Sequence, residues 1–145
     1  MMKIVDLNVP PYAINKDSAH HNQVHEWWEG AVDGDEPVGL PWIVLLGFLR
    51  LSTNPRIFSE PLATEQALEK VDAWLSHPNI KVVLERQEHW NTLKRLLGVT
   101  GAAGNLTTDA HLFARAISYG ASLVSCDSDF ARFRELRYEN PLLTK

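Results

Sequence analysis

The chain has 145 residues, of which 45% are hydrophobic and 22% charged, and it contains a single cysteine. This composition excludes a collagen, a disordered tail and a disulfide-stapled scaffold, and the length suits one domain spanning residues 1–145. No run of about 18 apolar residues could form a membrane-spanning helix, and the first residues lack a signal-peptide pattern. We therefore expect a cytoplasmic protein without disulfides.

The formal net charge of −4 argues against a protein coated with nucleic-acid-binding charge. The charge is uneven, however. Residues 1–80 hold 5 Lys or Arg against 11 Asp or Glu, whereas residues 81–145 hold 9 against 7. Two interpretations remain open for the second half: scattered solvated charges, or a local basic face to which Arg115, Arg132, Arg134 and Arg137 would contribute.

The first half alternates strand and helix signals. A buried strand is predicted at 3–6, followed by a helix that Asp17 or Ser18 caps and that runs to Val32. A short strand at 38–40 precedes Pro41, which suits the first turn of an apolar helix at 42–51.

The second half continues this alternation. Thr64 is expected to cap a helix whose apolar positions are Leu68, Val71 and Leu75, and a β-branched strand follows at 80–84. A helix is predicted at 86–97, a loop at 98–104, and a helix that Thr107 or Thr108 caps and Gly120 ends. The last strands are predicted at 122–126 and 136–138.

This order predicts an α/β fold with a mainly parallel central sheet of four to five strands and helices on both faces. Active sites in such sheets lie beyond the carboxyl ends of the strands. Asp6 closes the first strand, Asp109 lies in the first turn of a helix, and Asp127 and Asp129 follow a late strand. These four carboxylates are therefore candidates for one common site.

Clustered carboxylates repel one another, and a divalent cation relieves that repulsion. An all-oxygen ligand set favours Mg²⁺, with Mn²⁺ as an alternative, and such a site activates water for attack on a phosphate. Simpler interpretations exist for three of the residues. Asp109 suits a helix N-terminus, Asp127 could cap a short helix, and Asp129 could support a turn. Asp6, at a buried strand end, is the hardest to explain without a partner.

Four segments resemble the PIN-domain ribonucleases, and in particular VapC-type toxins of bacterial type II toxin–antitoxin systems. They are Ile4-Val5-Asp6-Leu7-Asn8-Val9, Leu40-Pro41-Trp42 with Gly47-Phe48-Leu49-Arg50-Leu51-Ser52-Thr53, Asn105-Leu106-Thr107-Thr108-Asp109-Ala110-His111-Leu112, and Ser125-Cys126-Asp127-Ser128-Asp129-Phe130. The resemblance covers essentially the whole chain in the family's order.

The resemblance implies a PIN-like fold and a Mg²⁺-dependent endoribonuclease that a cognate antitoxin neutralises, usually as a homodimer or a toxin–antitoxin hetero-oligomer. It matches Asp6, Asp109 and Asp127 to the family's metal-binding acids and Asp129 to a further catalytic acid. Many members also carry a glutamate on the third helix, where this chain has Gly47. We therefore expect one tightly held Mg²⁺. The alternative is a catalytically weakened PIN domain that binds RNA or antitoxin.

Several other residues are candidates for supporting roles. Asn8 could donate to Asp6 or to a substrate phosphate, or be a turn residue, and Arg50 could pair with phosphate, with a site carboxylate or with a helix end. Neighbours on a helix diverge by about 100°, so Trp27 and Trp28 cannot both face one core. One of the two is expected to contact an antitoxin or a second copy of the chain.

Overall fold

The computed structural model describes residues 1–100, 107–127 and 137–143. The strands are β1 (Lys3–Val5), β2 (Val38–Pro41), β3 (Ile80–Val83), β4 (Ser122–Val124) and β5 (Tyr138–Glu139). The helices are α1 (Val9–Ile14), α2 (His21–Val32), α3 (Trp42–Ser52), α4 (Thr64–Ser76), α5 (His89–Thr100) and α6 (Thr107–Ser118). In this part of the chain no helix is long and apolar enough to cross a membrane.

The five strands form one parallel sheet in the order β3-β2-β1-β4-β5. The central strand β1 pairs with β2 on one side and with β4 on the other, and Ile4 and Val5 are fully buried in it. A buried parallel strand needs such a continuous apolar run. The expectation of a mainly parallel α/β sheet of four to five strands is confirmed, and Asp6 directly follows its central strand.

The helices that precede β3 and the helices that follow it pack in two groups. Contacts join α1 with α2 and α3, and α3 with α4, whereas α5 packs on α6. Trp28 of α2 and Phe48 of α3 meet the ring of Trp74 on α4 at centroid distances of 5.3 and 4.6 Å. These edge-to-face aromatic contacts fix the first group beside the sheet.

Several predicted boundaries are wrong, and local polar contacts explain some of the differences. Helix α1 was not predicted. It begins Val9-Pro10-Pro11, and proline is tolerated in a first helical turn. Neither Asp17 nor Ser18 caps α2. The hydroxyl of Ser18 accepts a hydrogen bond from the amide of His20 at 3.1 Å, before the helix begins at His21.

Two further helices differ from the prediction. Thr64 is the first residue of α4 rather than its cap, and the side chain of Gln66 accepts from the Ala63 amide at 2.9 Å. The helix buries Ala67, Val71 and Trp74 instead of the face that contains Leu68 and Leu75. Helix α5 starts three residues later than predicted and continues to Thr100 through part of the predicted loop. Gly120, with φ of +59°, follows α6 as expected.

Candidate active site

Asp6 is a buried carboxylate at the carboxyl end of the central strand. Its side chain is 6% exposed. One carboxylate oxygen, Oδ2, accepts from the hydroxyl of Ser125 at 2.7 Å, and the other, Oδ1, accepts from the amide of Leu7 at 2.7 Å. The Asp6 carboxylate is thus oriented by two donors, one that follows it in the chain and one that directly follows β4.

Ser125 connects Asp6 to Asp127 and Asn8. Its hydroxyl oxygen accepts from the amide of Asp127 at 3.0 Å and from the side-chain amide of Asn8 at 3.4 Å. The side-chain oxygen of Asn8 accepts in turn from the Cys126 amide at 3.2 Å. This network ties the ends of β1 and β4 together and places two of the predicted acids, Asp6 and Asp127, side by side.

The charge of the Asp6 carboxylate is not balanced by an ion pair with a described lysine or arginine. Burial raises the pKa of Asp6 above its ordinary value, and the negative charge of Asp127 adds to the effect, while hydrogen bonds from Ser125 and Leu7 oppose it. No lysine or arginine in the described part of the chain forms an ion pair with Asp6. A cation at this position would therefore stabilise the charged form of the site.

Asp109 reaches this edge of the sheet through helix α6. It lies in the first turn of α6 and is half-buried. A tight turn at Tyr119 and Gly120 joins α6 to β4, and the helix packs on that strand. Because a connecting helix runs back along a parallel sheet, its N-terminus lies towards the carboxyl ends of the strands. Asp109 is thus on the same side of the sheet as Asp6 and Asp127.

The donor chemistry fits a hard divalent cation. Asp6 and Asp127 offer carboxylate oxygens, the ligands of Mg²⁺, and Mg²⁺ keeps several of its waters when only one or two carboxylates bind it. Among residues 1–100, 107–127 and 137–143, no three His, Cys, Asp or Glu side chains converge into a ready-made metal cluster.

The remaining predicted catalytic and substrate residues have different outcomes. Asp129 lies outside the described residues. Within the described residues, the expected hydrogen bond from Asn8 to Asp6 is not formed, because Asn8 bridges Ser125 and the Cys126 amide instead. Arg50 is exposed in the last turn of α3 and makes no ion pair with a described residue. The substrate roles of Asn8 and Arg50 therefore stay predictions.

The two adjacent tryptophans separate as the helix geometry requires. Trp28 is 3% exposed and belongs to the core, so of the two tryptophans it is Trp27 that could contact a partner. Trp27 is half-buried, and its indole nitrogen donates to Glu139 at 2.5 Å. It lines a cavity of about 340 Å³ together with Lys3, Gln23 and Pro141. A contact with an antitoxin or a second copy thus stays a prediction for Trp27 alone.

Sequence reasoning missed two residues that support the site. Ser125 was visible only as part of a motif, although a polar residue that ends a buried strand signals a specific hydrogen bond. Tyr138 gave no such signal. Its hydroxyl donates to the carbonyl of Asp127 at 2.9 Å and accepts from the Asn140 side chain at 3.1 Å, so the edge strand β5 holds the backbone of the site.

The basic face suggested by the charge count loses one of its members. Arg115 is 1% exposed and its guanidinium pairs with Glu85 and with the carbonyl of Val83. Arg132 and Arg134 lie outside the described residues, and Arg137 is exposed. Burial and the charge of Asp6 raise the pKa of the Cys126 thiol to about 12, which disfavours the reactive thiolate form.

Comparison with known proteins identifies the class. A family model described as PIN domain matches residues 3–136. Ribonuclease VapC37 of Mycobacterium tuberculosis is 44% identical over 140 residues, covering 97% of both chains. Ribonuclease VapC33 of the same species is 39% identical over 141 residues, covering 97% of this chain and 99% of that one.

Solved structures show the same fold at lower identity. VapBC2 from Rickettsia felis, bound to a DNA fragment from their promoter, has a TM-score of 0.70 at 23% identity and covers 97% of this chain and 98% of that one. VapC20 from Mycobacterium tuberculosis, a sarcin-ricin loop cleaving toxin, has a TM-score of 0.66 at 18% identity and covers 90% and 93%. The chain belongs to the PIN-domain family and, within it, to the VapC-type ribonucleases.

Proposed function

We propose that the chain is the toxin of a type II toxin–antitoxin system and a Mg²⁺-dependent endoribonuclease that hydrolyses RNA phosphodiester bonds. The observation that carries this proposal is the buried Asp6 beside the half-buried Asp127, both hydrogen-bonded to Ser125 at the carboxyl edge of the sheet. The relatives are named ribonucleases, which indicates hydrolysis of RNA. Carboxylates can bind the divalent cation that assists such a reaction.

The acids are assigned distinct roles. Asp6 and Asp109 hold the metal, and Asp127 binds it directly or through a water. Bound Mg²⁺ would lower the pKa of a water and polarise the phosphoryl oxygen. Asp129 is assigned to orient the attacking water. Ser125 keeps the Asp6 carboxylate aimed at the site, because its hydroxyl donates to Asp6 while it accepts from the Asp127 amide.

We favour one tightly held metal ion. Gly47 stands where many family members carry a glutamate, and it is buried against Leu7. A Cβ at Gly47 would clash with the Leu7 side chain, so a longer side chain at this position would require Leu7 to move. A fourth carboxylate from α3 is thus replaced by an apolar contact beside Asp6. A second ion would have to arrive with the RNA phosphate.

The partners follow from the relatives. Solved structures of similar fold are complexes named VapBC, and one of them is bound to promoter DNA. By analogy we propose a cognate antitoxin for this chain, with Trp27 in the contact surface, an assembly of homodimers or toxin–antitoxin hetero-oligomers, and action on RNA in the cytoplasm. RNA specificity in such an enzyme depends on the shape and the unpaired bases of the substrate.

The first test is cleavage of total cellular RNA by purified protein without antitoxin, in Mg²⁺ or in EDTA. We expect discrete fragments with Mg²⁺, and a loss of about 100-fold or more in Asp6→Asn and in Asp109→Asn, because metal assistance contributes several kcal/mol to the transition state. Asp35→Asn is the matched control, since Asp35 is an exposed carboxylate far from β4 in sequence.

The outcomes separate the alternatives. Full activity of Asp109→Asn would remove this residue from the mechanism. If folded wild-type protein binds Mg²⁺ but cuts none of the RNA, the catalytically weakened binding module becomes the better description. Fragments that also form in EDTA would exclude the metal-dependent reaction.

A further inference from the structure

A second polar cluster lies at the carboxyl end of β3 and consists of Glu85, His89, His111 and Arg115. We refer to it as the Arg115 cluster. The guanidinium of Arg115 donates to the carbonyl of Val83 at 2.7 Å and to the carboxylate of Glu85. His111, one turn earlier on α6, lies 3.2 Å from the same guanidinium nitrogen. Its other ring nitrogen lies 2.9 Å from the ring of His89, the first residue of α5.

The cluster joins three elements to one another. Arg115 and His111 project from α6, Val83 ends β3, and His89 begins α5. Arg115 is 1% exposed, so its charge is removed from water and depends on these hydrogen bonds. Such a group is costly to keep in a core.

The buried apolar surface of α6 is one of the contacts that hold the helix against the sheet. Ala110, Leu112, Phe113, Ala114 and Ala116 form its buried apolar surface. Apolar burial is non-directional, whereas hydrogen bonds require a defined distance and angle. The bonds from Arg115 to Val83 and Glu85 therefore constrain the axial position and rotation of α6 against β3, together with the bonds between the Tyr119 hydroxyl and Leu84 just beyond the helix.

Asp109 depends on that position. It lies in the first turn of α6, two residues before His111 and six before Arg115. A helix rises about 1.5 Å and turns about 100° per residue, so a small slide or rotation of α6 moves the Asp109 carboxylate by a comparable distance. Mg²⁺ demands near-ideal ligand geometry at about 2.1 Å and tolerates such a displacement poorly.

We propose that Arg115 is a positioning residue of the metal site: its hydrogen bonds to Val83 and Glu85 hold α6 so that Asp109 can ligate the cation together with Asp6. This inference rests on the proposed function. It gives the Arg115 cluster an indirect role in metal affinity and in the reaction, because Arg115 acts through the position of α6 and would not contact metal or RNA.

The test measures Mn²⁺ binding by electron paramagnetic resonance in the absence of RNA. We expect Arg115→Met to raise the dissociation constant for Mn²⁺ about tenfold, as is typical when a residue that orients a metal ligand is removed. Arg115→Lys should give a smaller rise, because lysine lacks the two-pronged donor of arginine. In cleavage assays the Mg²⁺ concentration for half-maximal rate should rise in the same order.

The control is Val24→Ala, a truncation of a fully buried residue of α2 that is remote in sequence from both clusters. It should lower the melting temperature and leave the dissociation constant for Mn²⁺ unchanged. If Arg115→Met does not fold, Glu85→Gln weakens the same contact and should raise the dissociation constant as well.

The outcomes distinguish this inference from the proposed function. Unchanged Mn²⁺ affinity in folded Arg115→Met, Arg115→Lys and Glu85→Gln would overturn the positioning role while leaving the metal site intact. Equal losses in Arg115→Met and Val24→Ala would also overturn it, since the effect would then follow stability. A wild-type protein that binds no Mn²⁺, or binds it unchanged after Asp6→Asn, would contradict the proposed function itself.

Discussion

Two polar clusters lie at the carboxyl edge of the same sheet, and they are built on opposite principles. The cluster around Asp6, Ser125 and Asp127 gathers negative charge without a described cation. The Arg115 cluster pairs one cation with the anion Glu85. Burial and the charge of Arg115 lower the pKa of His89 and of His111, which favours the neutral form of both rings. The first cluster places a buried carboxylate beside a second acid, whereas the second pairs its buried cation with a carboxylate.

The carboxylates of the two clusters respond to pH with opposite signs. The pKa of Asp6 is raised, so the folded, metal-free protein holds that proton more tightly than the unfolded chain does. This contributes stability at low pH that is lost as the pH rises through the raised pKa. Burial acts to raise the pKa of Glu85, but a backbone hydrogen bond and the charge of Arg115 outweigh it and lower the pKa. That contribution is present above the ordinary pKa of glutamate and is lost as the pH falls through the lowered value.

The direction of a carboxylate's pKa shift distinguishes a candidate binding site from a structural cluster. A carboxylate that destabilises the metal-free fold at neutral pH is a candidate ligand group, because a bound cation would reverse the penalty. A carboxylate that stabilises the fold already has its partner. Helix α6 connects the two, because it carries Asp109 at its start and Arg115 three residues before its end.

The largest expected effect on stability is that of the metal ion. At a Mg²⁺ concentration about 100 times the dissociation constant, the free energy of unfolding should rise by about 2.7 kcal/mol at neutral pH. The rise should shrink as the pH falls through the raised pKa of Asp6, since proton and metal then compete for one carboxylate. Thermal denaturation with and without Mg²⁺ over a pH series measures it.

Asp6→Asn is the control for this effect and should show almost no stabilisation by Mg²⁺. Isothermal titration should find one ion per chain. Two tightly bound ions would contradict the single-metal proposal. A stabilisation by Mg²⁺ that persists unchanged in acid would show that the ion does not bind through Asp6.

An intermediate effect is expected for the balanced cluster. Glu85→Ala should lower the free energy of unfolding by about 1–3 kcal/mol, because it removes one acceptor from the buried guanidinium of Arg115. Denaturant unfolding at neutral pH measures the loss, which should diminish in acid, where Glu85 is protonated. The matched control is Glu88→Ala, a truncation of an exposed glutamate three residues away. Equal stability of Glu85→Ala and wild type would show that the two clusters do not differ as described.

The smallest expected effect lies outside both clusters. Trp27→Ala should weaken binding of the cognate antitoxin about tenfold, since a half-buried tryptophan beside a cavity is a typical binding hot spot. RNA cleavage and Mg²⁺ stabilisation should stay at the wild-type level. Calorimetric titration with the antitoxin measures the affinity, and Trp90→Ala, at an exposed tryptophan away from the cavity, is the control. Unchanged affinity would exclude Trp27 from the contact.

Much of the architecture could be predicted because the responsible patterns are local. Continuous apolar runs predicted β1 and β3, Gly120 predicted the end of α6, and strand–helix alternation predicted the parallel sheet. Helix boundaries were less predictable. Just before α2 and α4, the side chains of Ser18 and Gln66 accept hydrogen bonds from backbone amides. Such local bonds compete with other possible helix starts, so the first residue of each helix is hard to predict.

The order of residues along the chain was enough to place acids at strand ends and helix starts, and hence to make Asp6, Asp109 and Asp127 candidates for one edge of the sheet. The surroundings of these acids depend on how the elements pack. Ser125 between Asp6 and Asp127, and Leu7 against Gly47, are contacts between segments distant in sequence. The same holds for Arg115, whose partners Val83 and Glu85 lie about 30 residues away. Periodicity and capping encode local geometry, whereas hydrogen-bond partners across a sheet are fixed only when the strands and helices have packed.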